Sequence, residues 1–370
     1  MSVFSFLFKP DYFCCNECAV EIRAIQEKST LKGKFDRAPS ANLYKKPRCK
    51  YFLMATSYST DTVTEDQIVE YDDDLELYLK RVGRLLDIPS IINEQQENPQ
   101  IINYFHKNKM VYRLAHSWEG YRHFGISYDG KHKTKDFEEQ ARIVERCIRD
   151  SDAKNVLELA YGSGVNTAFL ARRNPGVTFD GIDLSNKPLK RYEKIPNAHF
   201  QQGDFHDLSA FEDDTYDVAF VIEALCYSTN KLHVFREVKK KLKRDGLFII
   251  IDAYRRDSAK PMSQPDEIMM KLIEKGVALE QFEYVGDVES YMREEYSIVV
   301  AKDFTENILP SAIHNERKTR RYFAHPTFSR IVNKILPYEV LKNMTAVYLV
   351  PISIKRQIGC YYVHVLKNDK

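Results

Sequence analysis

The stretch VLELAYGSGV, residues Val156–Val165, decides how the rest of the chain folds. It opens with an apolar run that is typical of a buried parallel strand. Glu158 lies near the end of that run, and the turn Gly162-Ser163-Gly164 follows it. A helix is predicted next, from about residue 166 to 173. Strand, glycine turn and helix together form a cradle for a nucleotide cofactor, because glycine lets the backbone approach the ligand and the helix N-terminus offers free amides.

Acidic residues stand at or near the ends of four successive predicted strands. Asp183 ends the run 177–182, Asp204 follows the run 199–202, and Glu223 ends the run 218–222, in addition to Glu158 in the first strand. The dinucleotide pattern G-x-G-x-x-G needs a third glycine where Thr167 stands. This set of acids is more than a lone glycine turn provides, although chance acids in an ordinary α/β chain give the same pattern.

These motifs resemble the successive motifs of class I S-adenosylmethionine (SAM) dependent methyltransferases. The resemblance covers about residues 133–254 and rests on the segments 158–164, 203–205, 217–223 and 242–252 together with Asp183. The family loop usually begins with a glycine where this chain has Ala160. The resemblance implies an α/β, Rossmann-like fold with a seven-stranded class I methyltransferase sheet, to which a helical N-terminal cap and a helical lid insertion are added.

The resemblance also implies SAM as the cofactor. Asp183 would accept hydrogen bonds from both ribose hydroxyls, Asp204 would bind the adenine amino group with help from the Phe205 amide, and Glu158 would lie by the methionine amino group. The rings of Tyr161 or Trp118 could face the sulfonium. The expected cofactor-binding residues are Glu158, Ala160, Tyr161, Gly162, Gly164, Asp183, Leu184, Gly203, Asp204, Phe205, Glu223 and Trp118.

Aromatic side chains crowd into the segment 112–128, directly before the cofactor motifs. The segment resembles the entrance region of small-molecule methyltransferases of the sterol, tocopherol and cyclopropane-synthase kind. A glycine-broken loop that packs its rings on the core is an equal alternative. If the acceptor must lose a proton, Glu223 and His123 are the candidate catalytic bases, although a lone histidine among aromatics is more often structural. The candidate acceptor-binding residues are Tyr121, Tyr227, Tyr254 and Phe323.

The composition is that of a soluble globular protein. The 370 residues are 44% hydrophobic and 29% charged, with a net charge of +2. This charge gives no argument for nucleic acid, and no apolar run reaches the length of a membrane span. The seven cysteines are scattered, and no secretory signal is recognisable, so we expect a reducing, cytoplasmic compartment. Peripheral membrane contact and the oligomeric state stay open.

Three regions are predicted. Residues 1–60 form an extension that could be disordered and dispensable, and its Cys14, Cys15, Cys18 and Cys49 favour free thiols over zinc, so we expect no metal site. Residues 61–130 form a helical and aromatic cap. Residues 131–370 form the SAM-binding domain, with a lid insertion at about 304–349 that is interrupted at Pro310, Pro326 and Pro337. The lid's basic residues, among them Lys318, either meet an anionic acceptor or cover a solvated helix face.

The sequence thus predicts a SAM-dependent methyltransferase that acts on a small, largely apolar acceptor of isoprenoid, sterol or acyl type, by C- or O-methylation. One alternative is N- or O-methylation of a polar small molecule. Another is a protein that binds SAM without methylating, either a cyclising enzyme or a pseudoenzyme that regulates a partner.

Overall fold

The computed structural model describes residues 74–95, 104, 107–108, 117–184 and 188–369. The predicted extension 1–60 and its four cysteines lie outside the described residues. Residues Tyr71–Lys370 form one compact unit.

A seven-stranded sheet forms the centre of this unit, as the sequence predicts. Its strands are β1 Asn155–Leu159, β2 Thr178–Asp183, β3 Ala198–Gln202, β4 Tyr216–Ile222, β5 Leu242–Arg255, β6 Ser297–Asp303 and β7 Gly359–Lys367. Their order across the sheet is β3-β2-β1-β4-β5-β7-β6. Strands β1 to β5 are parallel, and β7 runs antiparallel to both β5 and β6. The central strands read as continuous apolar runs because helices cover both of their faces.

Helices pack on both faces of the sheet and against one another. They are α1 Leu75–Gly83, α2 Ile88–Ile92, α3 Glu139–Asp150, α4 Val165–Arg173, α5 Lys231–Lys241, α6 Gln264–Gly276, α7 Val285–Glu295, α8 Thr305–Ala324, α9 Pro326–Asn333 and α10 Tyr338–Lys355. Helices α3, α4 and the first half of α8 share one core with the sheet. Helices α5 and α7 share a second core with its other face.

The predicted insertion consists of α8, α9 and α10, which lie between β6 and β7 in the chain. The prediction of a break at Pro310 is wrong, because α8 continues through this residue. Proline fixes φ at a helical value, so α8 continues through Pro310, its sixth residue, with the loss of the one hydrogen bond that the missing N–H would donate. Breaks do occur near the other two prolines: Pro326 opens α9, and Pro337 precedes α10.

The apolar side chains of the insertion form a third core with helices from other parts of the chain. Tyr322, Phe323 and Tyr348 of the insertion pack with Tyr78 of α1 and Met269 of α6 in this core. Tyr348 stacks on Tyr78 with ring centroids 4.5 Å apart. The surplus of apolar residues in the insertion is therefore used in packing helix against helix.

Candidate active site

The glycine turn after β1 has a backbone that few residue types adopt. Gly162 and Gly164 have φ values of +57° and +77°. A Cβ at Gly164 would lie 2.8 Å from Pro188 and 3.0 Å from Phe200, so only glycine fits at this start of α4. Ala160 also has a positive φ, +56°. This left-handed conformation costs about 1 kcal/mol for alanine, which explains why a glycine is usual at this position.

Asp183 at the end of β2 is hydrogen-bonded to this turn. Its Oδ2 accepts from the Gly162 amide at 2.9 Å. Leu184, the next residue, is 42% exposed and presents an apolar surface beside the carboxylate. The Gly203 amide donates to the Asp183 carbonyl at 3.0 Å, and a Cβ on Gly203 would lie 2.8 Å from Ile182. The predicted residues of the first three strand ends are therefore neighbours in space.

Glu158 lies beneath the turn and is only 2% exposed. Its Oε2 accepts hydrogen bonds from the Thr167 amide, at 3.1 Å, and from the Thr167 hydroxyl. Burial raises the pKa of this carboxyl to about 7, while its bonds to Thr167 act in the opposite direction. Thr167, which stands where the dinucleotide pattern has its third glycine, is thus the hydrogen-bond partner of Glu158.

Asp204 belongs to a chain of polar side chains beyond β3. Its Oδ1 accepts from the His206 amide at 2.9 Å and lies 2.6 Å from His206 Nδ1. The other ring nitrogen, Nε2, lies 2.8 Å from the hydroxyl of Ser228. The chain fixes Asp204 relative to the loop after β4, and the neighbouring Phe205 is buried in the core.

Glu223 follows β4 with a strained, positive φ of +47°. Its Oε1 accepts from the Phe124 amide at 2.9 Å and from the Tyr361 hydroxyl at 2.8 Å. Burial raises the pKa of Glu223 to about 8, and the negative charge of Asp252 adds to this shift. Gln140 of α3 donates to the Tyr361 hydroxyl at 3.3 Å and holds it in place.

The aromatic segment lies across these strand ends. At the glycine turn, the Ser163 hydroxyl donates to the Gly120 carbonyl at 2.8 Å. Gly120 has a φ of +107°, and a Cβ there would lie 2.8 Å from Ser163 Oγ. A Cβ placed on Gly162 would lie 3.9 Å from Arg122 Nη1, so the guanidinium borders the turn. Residues 120–125 thus connect the glycine turn to Glu223.

His123 is buried in this segment. Its Nδ1 lies 2.9 Å from the Phe124 carbonyl, and its Nε2 lies 3.4 Å from Asn166 Oδ1. Burial lowers the pKa of His123. Both nitrogens therefore face polar groups of the fold, as in a structural histidine.

The predicted acceptor-binding residues lie in two kinds of environment. Tyr227 follows β4, and its hydroxyl donates to the Val277 carbonyl at 2.8 Å. Tyr254 is the second-last residue of β5, and its hydroxyl is buried without a partner among the described residues. Tyr121 stacks on Phe137 within the core of the first sheet face. Phe323 stacks on Tyr348 in the third core, at 4.3 Å. The ring of Phe323 is thus buried among the helices of the third core.

Trp118, the only tryptophan, lies at the start of the described part of the aromatic segment. It is 42% exposed, and its carbonyl accepts from Arg191 at 3.1 Å. Its position next to the Gly120 contact leaves it near the glycine turn.

Sequence reasoning missed Arg122 and Tyr361. Arg122 is the only lysine or arginine between residues 117 and 130, and this could have marked it. Tyr361 lies 138 residues from Glu223 in the sequence, and no local pattern indicates its contact with that carboxyl.

Residues 157–250 match the family model described as a methyltransferase domain. A demethylmenaquinone methyltransferase from Thermotoga maritima is 33% identical over 112 residues, which are 30% of this chain and 48% of that protein. Among solved structures, a protein assigned as a sarcosine dimethylglycine methyltransferase from Galdieria sulphuraria matches with a TM-score of 0.59 and 16% identity over 72% of this chain and 99% of that one. The (4+2)-cyclase SpnF matches with a TM-score of 0.55 and 14% identity over 73% and 94%.

The fold is therefore that of the class I methyltransferases. Residues 157–250, which include the glycine turn, carry a methyltransferase domain. The chain spans about half the length of the curated relative. The family match begins within β1 and ends within β5. Among the residues the structure describes, no helix is long and apolar enough to cross a membrane.

Proposed function

We infer that this protein transfers the methyl group of SAM to a small, largely apolar acceptor of isoprenoid, sterol or acyl type. The observation that carries the proposal is the aromatic segment 117–125, which is hydrogen-bonded across the carboxyl ends of the strands from Ser163 to Glu223. In open α/β sheets, ligands bind at these ends. The similarity to a demethylmenaquinone methyltransferase supports an apolar acceptor.

The residues present fit SAM. The Gly162 and Gly164 backbone passes the start of α4 without side chains, and a Cβ at Gly164 would fill the turn. Asp183 supplies an acceptor for the ribose hydroxyls, and exposed Leu184 supplies an apolar surface for the adenine ring. Asp204 is fixed by His206 for the adenine amino group. When bound, SAM supplies an electrophilic methyl group on its sulfonium.

Arg122 is the residue of this chain that best complements the carboxylate end of the cofactor. Its guanidinium borders the glycine turn, and a planar guanidinium binds a carboxylate with two parallel hydrogen bonds. Glu158 does not border the turn itself but accepts a hydrogen bond from the Thr167 amide, in the first turn of α4.

Glu223 is a better candidate base than His123. With its pKa at about 8, Glu223 is partly ionised near physiological pH, and the ionised form can accept a proton from a hydroxyl or an activated carbon. The Tyr361 hydroxyl and the Phe124 amide fix the carboxyl while it changes charge. The ring nitrogens of His123 lie within hydrogen-bond distance of Phe124 and Asn166, and we assign His123 a structural role in the aromatic segment.

The second candidate function is methylation of a polar amine or hydroxyl. It is favoured by the similarity in fold to a protein assigned as a sarcosine dimethylglycine methyltransferase. A third possibility is a SAM-binding protein that catalyses a cyclisation without methyl transfer, since a cyclase has the same fold.

One experiment separates the three. Full-length protein is incubated with methyl-labelled SAM and with separate lipid and polar metabolite extracts, and labelled products are identified by mass spectrometry. We expect label and S-adenosylhomocysteine to appear with the lipid extract. A labelled polar amine would replace the proposal by the second function. SAM binding without labelled product in either extract would favour the third, and the Asp183→Ala variant serves as the control for cofactor-dependent labelling.

A further inference from the structure

Exposed apolar side chains follow one another along α9 and into the start of α10. Ile331 is 55% exposed, Ile335 is 38% exposed, and Tyr338, the first residue of α10, is 44% exposed. Single apolar side chains at a protein surface are ordinary, whereas several together mark a surface that binds something. We call Ile331, Ile335 and Tyr338 the apolar stripe.

The two isoleucines of the stripe lie on the side of α9 that faces away from the core. The amides of Ile335 and Leu336 both donate to the Val332 carbonyl at 2.9 Å, so the helical path continues for one turn beyond α9. Ile331 and Ile335 are four residues apart and therefore share a side. Ser329 and Val332 are fully buried on the opposite side, and Val332 belongs to the third core. Packing of α9 on the protein thus does not use the stripe.

Basic side chains flank the stripe. Arg330 directly precedes Ile331, Lys334 directly precedes Ile335, and both basic residues are exposed. In the part of the chain that the structure describes, neither of them has an ion-pair partner. Arg321, in the last turn of α8, is also exposed. The same surface therefore presents apolar side chains and positive charge to the solvent.

Negative charge is scarce around the stripe. Residues 317–338 contain six lysines and arginines and no aspartate or glutamate. The acids close to Tyr338 come from other positions: Glu94 and Glu339 are each ion-paired with a lysine at 2.6 Å, and Asp87 caps the start of α2. An apolar surface with a basic border is the composition that binds to the headgroup region of an anionic bilayer.

We propose that α9 and the turn before α10 dock this protein on the surface of a membrane that contains anionic lipids. The side chains of Ile331 and Ile335 enter the boundary between headgroups and acyl chains, while Arg330 and Lys334 contact lipid phosphates. The Tyr338 ring lies at the level of the headgroups. An apolar protein partner would account for the isoleucines but not for the basic residues beside them.

This inference goes beyond the proposed function and does not depend on it, because docking on a bilayer needs neither SAM nor an acceptor. Its consequence for the proposed function is a supply route, since acceptors of isoprenoid, sterol or acyl type dissolve in bilayers. A protein that methylates a polar molecule could carry the same docking surface.

Sedimentation of the full-length protein with sucrose-loaded vesicles tests the inference. One set of vesicles contains phosphatidylcholine with about 30% phosphatidylglycerol, and the other contains phosphatidylcholine alone, both at about 0.1 M salt. Each basic residue near an anionic surface raises partitioning about fivefold. We therefore expect the wild-type protein to partition at least tenfold more strongly into the anionic vesicles, and this preference should shrink at about 1 M salt.

Two double variants separate the apolar from the electrostatic contribution. Ile331→Ser with Ile335→Ser should reduce partitioning into anionic vesicles about tenfold or more, because the inserted side chains are lost. Arg330→Gln with Lys334→Gln should reduce the preference for anionic over uncharged vesicles by a similar factor. All four side chains are exposed, so circular dichroism should show both variants folded.

The matched controls make the same chemical changes elsewhere on the surface. Val299→Ser with Val300→Ser removes two exposed apolar side chains from β6, and Arg149→Gln with Arg244→Gln removes two exposed arginines. Both controls should partition like the wild-type protein.

Equal partitioning of the wild-type protein into the two kinds of vesicle would overturn the inference, as would binding that both stripe variants retain. A second copy of the chain on the stripe is the competing explanation. It would appear in sedimentation equilibrium as a dimer that Ile331→Ser with Ile335→Ser dissociates, without binding to vesicles, and it would also overturn the inference. The labelling experiment is separate, because neither its success nor its failure changes what the vesicles report.

Discussion

Replacing Glu223 by glutamine should make the protein more stable at neutral pH and leave its stability unchanged in mild acid. The pKa of Glu223 is raised from 4.5 to about 8 by burial. Between these two values the folded protein keeps a proton that the unfolded chain releases. Stability contributed by the protonated carboxyl is therefore fully present below pH 4.5 and is lost as the pH rises toward 8.

The structure sets the size of this effect. One retained proton lowers the free energy of unfolding by about 1.4 kcal/mol for each pH unit in this window. In the Glu223→Gln variant, the amide oxygen still accepts from the Phe124 amide and the Tyr361 hydroxyl, which contact the same oxygen in the wild type. The variant should therefore gain about 2–3 kcal/mol relative to wild type between pH 5.5 and 7.5.

Urea denaturation at pH 5.5, 6.5 and 7.5, followed by circular dichroism, measures this difference. Glu212→Gln is the matched control, because Glu212 is exposed before β4, and its curves should follow those of the wild type. Curves for Glu223→Gln that stay parallel to the wild type at all three pH values would refute the assignment of a buried, protonated Glu223.

Three further outcomes are expected. Asp183→Ala should weaken binding of S-adenosylhomocysteine about tenfold or more in calorimetry, since ionised acceptors contribute about 1.5–3 kcal/mol per hydrogen bond, and unchanged affinity would remove Asp183 from the ribose role. Ala160→Gly should preserve that affinity and shift the free energy of unfolding by less than about 1 kcal/mol, because relief of the positive φ offsets the added freedom of the unfolded chain; a large loss of binding would contradict this. Phe323→Ala should cost about 3–5 kcal/mol of stability in urea denaturation, because the ring is buried between helices; unchanged stability would restore Phe323 as a candidate acceptor contact.

The strands and the glycine turn could be predicted because their signals are local. A parallel strand covered on both faces must be apolar throughout, and a left-handed turn with no room for a Cβ must contain glycine. That the acids at the strand ends lie at one edge of the sheet could also be predicted from the sequence, because the carboxyl ends of parallel strands meet there. The Gly162 and Gly203 amides accordingly both donate hydrogen bonds to Asp183 in the structure.

The helical insertion shows where local signals fail. Its apolar residues were expected to cover an acceptor, yet Phe323 packs against Tyr348 and the helices near it. An apolar stripe on a helix reports that the side chains are buried but not what buries them. The partners here come from α1 and α6, which are far away in the sequence. Pro310 was expected to break a helix that its neighbours are able to sustain.

The sequence by itself determined the fold class, the nucleotide cradle and the strand-end acids, because each depends on residues close together in the chain. Only the tertiary structure decided the pKa values of Glu223 and Lys318. Glu223 meets Phe124 and Tyr361 across 99 and 138 residues. The pKa of Lys318 is lowered to about 8 because folding removes its ammonium from water. Charge and proton affinity depend on desolvation and on neighbours in space, and these exist only once the chain has folded.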